Sequence, residues 1–236
     1  MPLELQSVTF ESPDPDRDAE FWATLLGRSP QPDAGAILLA GSNGQLGLRF
    51  AVGAARGPGS SRMHLHLSQD VRGQWETIDA CRAAGGRLRG NGHAPANSYA
   101  AMADVVGDDF CVIEDGNRYL EGCGPLGEVT CAGPPSVGRF WSAALGWPLV
   151  WEQGEETAIQ SPVGGTKVAW SGEWEPPEVG ADRQYFTVLA DRGELDEEVG
   201  RLLALGASLT DEVDARQRAV TLRDPVGMRV VLRERP

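Results

Sequence analysis

The segment Phe21-Trp22-Ala23-Thr24-Leu25-Leu26-Gly27 recurs as Phe140-Trp141-Ser142-Ala143-Ala144-Leu145-Gly146. Each copy follows an apolar, strand-like run and precedes another, and the later segments of the two halves also fall into step. A fixed internal period means that one structural unit was duplicated, so fold and binding cleft should both follow from how the copies pack. The duplication divides the chain into residues 1–122 and 123–236, which are read as two domains. With 236 residues, 41% of them hydrophobic, the chain can bury one large core or two of ordinary domain size.

The formal net charge of -13, from 21 basic and 34 acidic residues, makes nucleic acid and anionic membrane surfaces poor partners, since phosphate binding needs a basic footprint. A small-molecule partner, favoured electrostatically if cationic, is expected; acidity also serves solubility alone. The start, Met1-Pro2-Leu3-Glu4-Leu5-Gln6, lacks the basic flank and apolar stretch of a secretion signal, and no run approaches membrane-spanning length, so a cytoplasmic protein is expected. Cys81, Cys111, Cys123 and Cys131 lack CxxC spacing and read as buried thiols.

Leu5 to Phe10 alternates as a strand. Asp14 can then cap a helix, with Pro15 in its first turn, Asp16 and Asp18 at the positive end of the dipole, Ala19, Trp22, Leu25 and Leu26 inward, and Gly27 at its end. Strands follow around Ala36 to Leu39 and Leu46 to Ala51, and Met63 to Ser68 opens a second unit. There, Asp70 can cap a helix burying Val71, Trp75, Ile78 and Cys81 and ending at Gly85-Gly86. Strands are predicted near Ala100 to Val106, Phe110 to Ile113 and Arg118 to Leu120, with Asp115-Gly116 as a hairpin turn. Val129 to Cys131 begins a third unit and Tyr185 to Val188 a fourth, whose helix turns Leu195, Val199 and Leu202 inward and whose last hairpin spans Val220 to Val231. The chain reads as strand, helix, three strands, four times over.

The Pro13-Asp14-Pro15 helix start with Phe21-Trp22 and Leu26-Gly27, the His64-Leu65-His66-Leu67 strand, and the segments Glu114-Asp115-Gly116-Asn117 and Asp224-Pro225-Val226-Gly227 together resemble the vicinal oxygen chelate superfamily, the glyoxalase, bleomycin-resistance and extradiol dioxygenase group. The chain is particularly similar to the tandem glyoxalase-like domains of actinomycete proteins. The resemblance implies an α+β fold of two tandem glyoxalase-like domains, in which paired βαβββ units form a curved mixed sheet with helices on the convex side and a cleft on the concave side. In metal-using members a divalent ion is held by a His or Gln on the first strand, a His opening the second unit and a Glu on the last strand. Counting from the motifs, those positions fall at Ser7 beside Gln6, at His64 or His66, and at Leu120 beside Glu121. In the second half they fall near Gly127, at Tyr185 or Thr187, and at Val231. The second half is expected to be metal-free, and the first keeps one clear ligand type of three.

His64 and His66 are two apart on a strand and share one face, with Leu65 and Leu67 on the other. They can share a metal if Glu121 or His93 supplies a third ligand, they can hydrogen-bond a ligand or move a proton as catalytic groups, or they can be tied to neighbouring backbone. Trp22, Trp75 and Trp141 read as core. Trp151, Trp170 and Trp174, with Tyr99 and Tyr185, can line an aromatic cleft or simply pack the sheet. The loop from Gly90 to Ser98 reads as a lid or a plain surface loop.

These readings combine into a metal-independent protein without cofactor, binding an aromatic or cationic natural product through His64, His66, Tyr99, Trp170 and Tyr185 and protecting the cell by sequestration. The alternative is an enzyme of the same superfamily, a lyase, isomerase, dioxygenase-type or tailoring enzyme. It would use Zn, Ni, Mn or Fe at His64, His66 and Glu121, or proton transfer by the two histidines. A tandem chain can act as a monomer or a homodimer.

Overall fold

A computed structural model describes residues 3–53, 62–68, 72–89, 99–172, 183–214 and 218–235. The first unit runs β1 (Glu4–Ser12), α1 (Pro15–Leu26), β2 (Pro30–Asp33), β3 (Ala36–Leu39) and β4 (Gly47–Val52). The second runs β5 (Met63–Leu67), α2 (Gln74–Ala83), β6 (Arg87–Leu88), β7 (Tyr99–Ala103) and β8 (Asp109–Ile113). The third is β9 (Leu126–Ala132), α3 (Pro135–Leu145), β10 (Leu149–Gln153), β11 (Glu156–Gln160) and β12 (Lys167–Ser171). The fourth is β13 (Gln184–Ala190), α4 (Leu195–Leu205), β14 (Ser208–Asp214), β15 (Ala219–Arg223) and β16 (Arg229–Glu234). The α+β architecture of paired βαβββ units, two tandem glyoxalase-like domains with mixed sheets, is as the resemblance implies.

Local chemistry explains the helix ends. The Asp14 carboxylate accepts from the Arg17 N–H at 3.2 Å, Pro15 sits where its missing N–H costs nothing, and Gly27 closes α1 in the left-handed region at φ 65. The second copy keeps only the end: α3 starts after Pro134 without a side-chain cap and stops at Gly146, φ 68. In α2, Gly73 is the cap; Asp70 and Val71 lie outside the described residues. Trp75, expected inward, is 59% exposed, because a helix starting at Gln74 turns its first residues outward.

Two short strands escaped the sequence pattern. β2 carries two prolines and is tolerated because it is the edge of its sheet, and β6 has two residues only. Missing β6 shifts the count of the second unit by one strand: its closing strand is β8, and Arg118 to Leu120 is a turn. The hairpin equivalent to Asp224-Pro225-Val226-Gly227 is therefore Asp104-Val105-Val106-Gly107, not Glu114-Asp115-Gly116-Asn117. Asp104 Oδ1 accepts from the Val106, Gly107 and Asp108 amides, and Asp224 Oδ1 from those of Val226 and Met228.

The repeated tryptophan uses this loop in both halves. Trp22 Nε1–H donates to Asp104 Oδ2 at 3.4 Å, and Trp141 Nε1–H to Asp224 Oδ2 at 3.2 Å. Their rings meet Phe110 and Phe186 edge-on, each at 5.0 Å between centroids. Each half is thus tied internally through its Phe-Trp helix, while the strands pair across the halves. One eight-stranded sheet runs β14-β15-β16-β13-β1-β4-β3-β2 and the other β10-β11-β12-β9-β5-β8-β7-β6. The first joins units one and four through antiparallel β1 and β13, the second joins units two and three through antiparallel β5 and β9. Each sheet takes one unit from residues 1–122 and one from 123–236.

A single apolar cluster, including Val8, Phe50, Leu65, Phe110, Val129, Trp141, Phe186 and Leu232, continues from one sheet to the other past the helices. All four cysteines are buried thiols outside any disulfide, as expected. Among the described residues, no helix is long and apolar enough to cross a membrane.

Candidate metal centre

Alternation along β5 buries Met63, Leu65 and Leu67 in the core and leaves His64 and His66 on the helix-free face, their rings 5.2 Å apart. Strand pairing then decides what they meet. Parallel β8 places Cys111 opposite His66, and antiparallel β9 places Glu128 opposite His66 from the other side. His64 Nε2 lies 3.0 Å from Cys111 Sγ. The donor atoms of His64, His66 and Cys111 all fall within 4.8 Å of one another.

Glu128 is buried and fully engaged. Its Oε2 lies 2.8 Å from His66 Nδ1 and accepts from Thr130 Oγ1 at 3.0 Å, while Oε1 accepts from the Tyr119 hydroxyl at 2.6 Å. Burial alone would raise its pKa, but these hydrogen bonds hold it below the ordinary carboxylate range. Tyr119 moves the opposite way, pushed up by burial and by the Glu128 charge, and stays a phenol. The Lys167 ammonium donates to the Tyr119 carbonyl and lies 3.9 Å from the centre of its ring. Burial, then the neighbouring His66, lowers His64 to about 4, so its imidazole is neutral at pH 7. The Cys111 thiol is pushed up to about 12 by burial and then by Asp109.

This set fits a transition-metal ion. Two imidazoles and a sulfur are borderline-soft donors suited to zinc, iron, nickel or copper rather than magnesium or calcium. Glu128 on Nδ1 would fix the tautomer of His66 and leave Nε2 as its lone-pair nitrogen, the arrangement that carboxylates commonly impose on ligating histidines. The expectation of a chain without metal rested on the absence of a third donor. Cys111 is that donor, and the expectation is corrected.

The other expected site residues scatter. Tyr99, 47% exposed, lies on the face of Cys111 and two residues along β7 from its partner Ala101, at the rim. Trp151, at the sheet edge, meets the Tyr119 ring edge-on at 5.8 Å. Trp170 is fully buried on the opposite face, where a side chain added at Gly138 of α3 would meet its ring, so it belongs to the core and not to a cleft. Tyr185 belongs to the other sheet, beneath the Arg229 guanidinium at 3.7 Å. Glu121 lies in the turn between β8 and β9 and outside the donor cluster, the consequence of the strand miscount. Ser7 is buried in the other sheet and Gln6 accepts from Arg233 there. His93, Trp174 and the loop from Gly90 to Ser98 lie outside the described residues.

Sequence reasoning missed Cys111, Glu128, Tyr119 and Thr130. Glu128 was legible: Val129 and Cys131 are apolar, so the carboxylate and the threonine that alternate with them, Glu128 and Thr130, mark the other face. The position counted there was Gly127, one residue short.

With this geometry in view, the kinship is plain. A family profile described as Glyoxalase-like domain matches residues 7–113 and 128–232, and the chain belongs to that family. No curated protein matches it. Among solved structures it is similar to glyoxalase I from Zea mays, with a TM-score of 0.71 and 15% identity over 98% of this chain and 92% of that one. A Bacillus subtilis subsp. subtilis str. 168 protein provisionally assigned as a dioxygenase gives a TM-score of 0.66 and 15% identity, over 98% and 85%. At such identities the likeness shows the fold alone.

Proposed function

We propose that the chain is a metal-dependent enzyme of the glyoxalase-like family, a lyase, isomerase or dioxygenase-type catalyst acting on a small oxygen-bearing molecule at the sheet of units two and three. The observation that carries this reading is the convergence of His64, His66 and Cys111. Those three side chains would hold the ion, which when bound supplies Lewis acidity toward a substrate oxygen. His64 contributes as a neutral imidazole. His66, with Nδ1 tied to Glu128, presents Nε2 to the cleft, and the Glu128–His66 pair is where a proton can be held. Tyr119 and Thr130 keep Glu128 in place, and the Lys167 ammonium beside the Tyr119 ring offers positive charge to an anionic substrate group. Tyr99 and Trp151 at the margins offer flat surfaces to an aromatic part of the substrate. Sequestration without metal loses its premise once the third donor is counted.

The test is elemental analysis of protein purified without chelator, followed by cobalt(II) substitution. Near-stoichiometric transition metal is expected, lost in His64→Ala, with a thiolate-to-cobalt charge-transfer band that disappears in Cys111→Ser. Protein that takes up no divalent metal after supplementation, although folded, would sink the reading.

A further inference from the structure

The second eight-stranded sheet, joining units one and four, carries chemistry that the metal centre does not use. On β1, Val8 and Phe10 enter the core, so Ser7 and Thr9 face the other way. By the same alternation Arg49 on β4 and Arg229 and Arg233 on β16 stand on that helix-free face, because Leu48, Phe50, Val230 and Leu232 are core. Thr9 and Thr187 share a hydrogen bond of 2.8 Å between them.

Three guanidinium groups therefore stand on one face of a chain whose net charge is -13, two of them, Arg49 and Arg233, joined through Asp33. Arg49 and Arg233 are 7% and 8% exposed. One oxygen of Asp33 serves both, at 2.8 Å from Arg49 Nε and 2.7 Å from Arg233 Nη2. Arg233 also donates to Gln6 Oε1 at 2.6 Å, and Arg229 donates to Glu11. Among the described residues, two carboxylates thus stand against three guanidinium groups, leaving a positive charge unmatched in a largely dry place, where unpaired charge is expensive.

The donors are also not used up. Arg233 Nε–H, Arg229 Nε–H and the Ser7 hydroxyl are buried and have no hydrogen-bond acceptor among the described residues, and Ser7 is completely buried. Buried donors without partners are costly, so three on one face beside excess positive charge call for an acceptor-rich, negatively charged partner.

We infer that this sheet holds a second, metal-free site for one small oxyanion, a carboxylate or phosphoryl group, whose oxygens accept from Arg233 Nε, Arg229 Nε and Ser7 Oγ. Guanidinium suits such groups because its planar donors match their paired oxygens. The Asp33 carboxylate takes up Arg49 Nε and Arg233 Nη2 and leaves Arg233 Nε to the anion. The site is independent of the proposed metal chemistry, being built from the other sheet.

Titration calorimetry with inorganic phosphate and with malonate, at ionic strength held constant with chloride, tests it. Saturable one-to-one binding of either anion is expected, and the one preferred tells phosphoryl from carboxylate ligands. Arg233→Gln should abolish binding. Ser7→Ala should weaken it about tenfold, the loss of one hydrogen bond to a charged group, while leaving thermal stability in chloride unchanged or higher. Metal content should be unaffected in both variants. If Arg233→Gln does not fold, Ser7→Ala alone decides. No saturable binding of either anion to the wild-type protein, or equal affinity in Ser7→Ala, overturns the assignment.

Discussion

At the scale of single residues, Glu128 is where one side chain controls most. It accepts from His66, Thr130 and Tyr119 at once, and so sets the ring orientation and tautomer of a histidine that the proposed ion needs. Glu128→Gln keeps the volume but offers an amide in place of the carboxylate. Metal affinity measured by chelator competition should fall about 10- to 100-fold. Tyr119→Phe removes one of three donors and should cost less, with circular dichroism unchanged in both. An equal affinity in Glu128→Gln would mean that the carboxylate does not orient His66. The residue scale also shows what a one-position count costs. Gly127 and Glu128 are neighbours in sequence, yet on a strand they face opposite sides, so an alignment one residue short names the wrong chemistry.

At the scale of elements, α1 makes the clearest claims. Asp18 is almost fully buried beside the Asp104 loop, and one of its oxygens has no partner among the described residues. Burial, then the charges of Asp104 and Asp108, against a hydrogen bond from Ser12, push its pKa up from 3.8 to about 7. A carboxyl raised in the folded state favours folding when protonated. Its contribution is complete below its ordinary value and is lost as pH rises through about 7. Stability to urea should therefore increase as pH falls from about 7 toward 4. Asp18→Asn should be more stable than wild type at pH 8, by about 1–3 kcal/mol, with the advantage gone at pH 4. Asp104, raised to about 6 by burial and then by Asp108, keeps some pH dependence in the variant.

The matching helix α3 is limited by space instead. A Cβ at Gly138 would stand 2.1 Å from Thr157 Oγ1 and 2.7 Å from Thr157 Cβ on β11. Gly138→Ala gains helix propensity but overpacks that contact, so a net loss of about 1–3 kcal/mol in thermal or urea unfolding is expected. A stabilised variant would show that the helix can lift off the sheet at little cost.

At the scale of the whole molecule, the halves of the duplication are not self-contained. β1 and β5 each pair with a strand of the other half, β13 and β9, so residues 1–122 alone would leave both as bare inner edges. That fragment should self-associate or aggregate when expressed alone. Mixing it with residues 123–236 should restore a one-to-one complex, read by size-exclusion chromatography and near-ultraviolet dichroism. A monomeric, cooperatively folding fragment 1–122 would show that pairing within that half can replace pairing across the chain. Metal binding belongs to the same experiment. His64, His66 and Cys111 come from the first half and Glu128 from the second, so the fragment should bind metal more weakly than the reconstituted pair.

The fourfold strand-and-helix rhythm, the two Phe-Trp helices and the shared face of His64 and His66 could be read from the chain, because each depends on a short period or a local cap. Which units pair could not, since β1 can offer its edge to any strand of matching pattern, and its pairing with β13 is made only in the assembled sheet. The third donor was hidden for the same reason. Cys111 is one buried thiol among four until parallel β8 sets it 3.0 Å from His64, and that register is a property of the assembled sheet. Local sequence determined the repeating parts, and long-range strand pairing decided where their side chains meet.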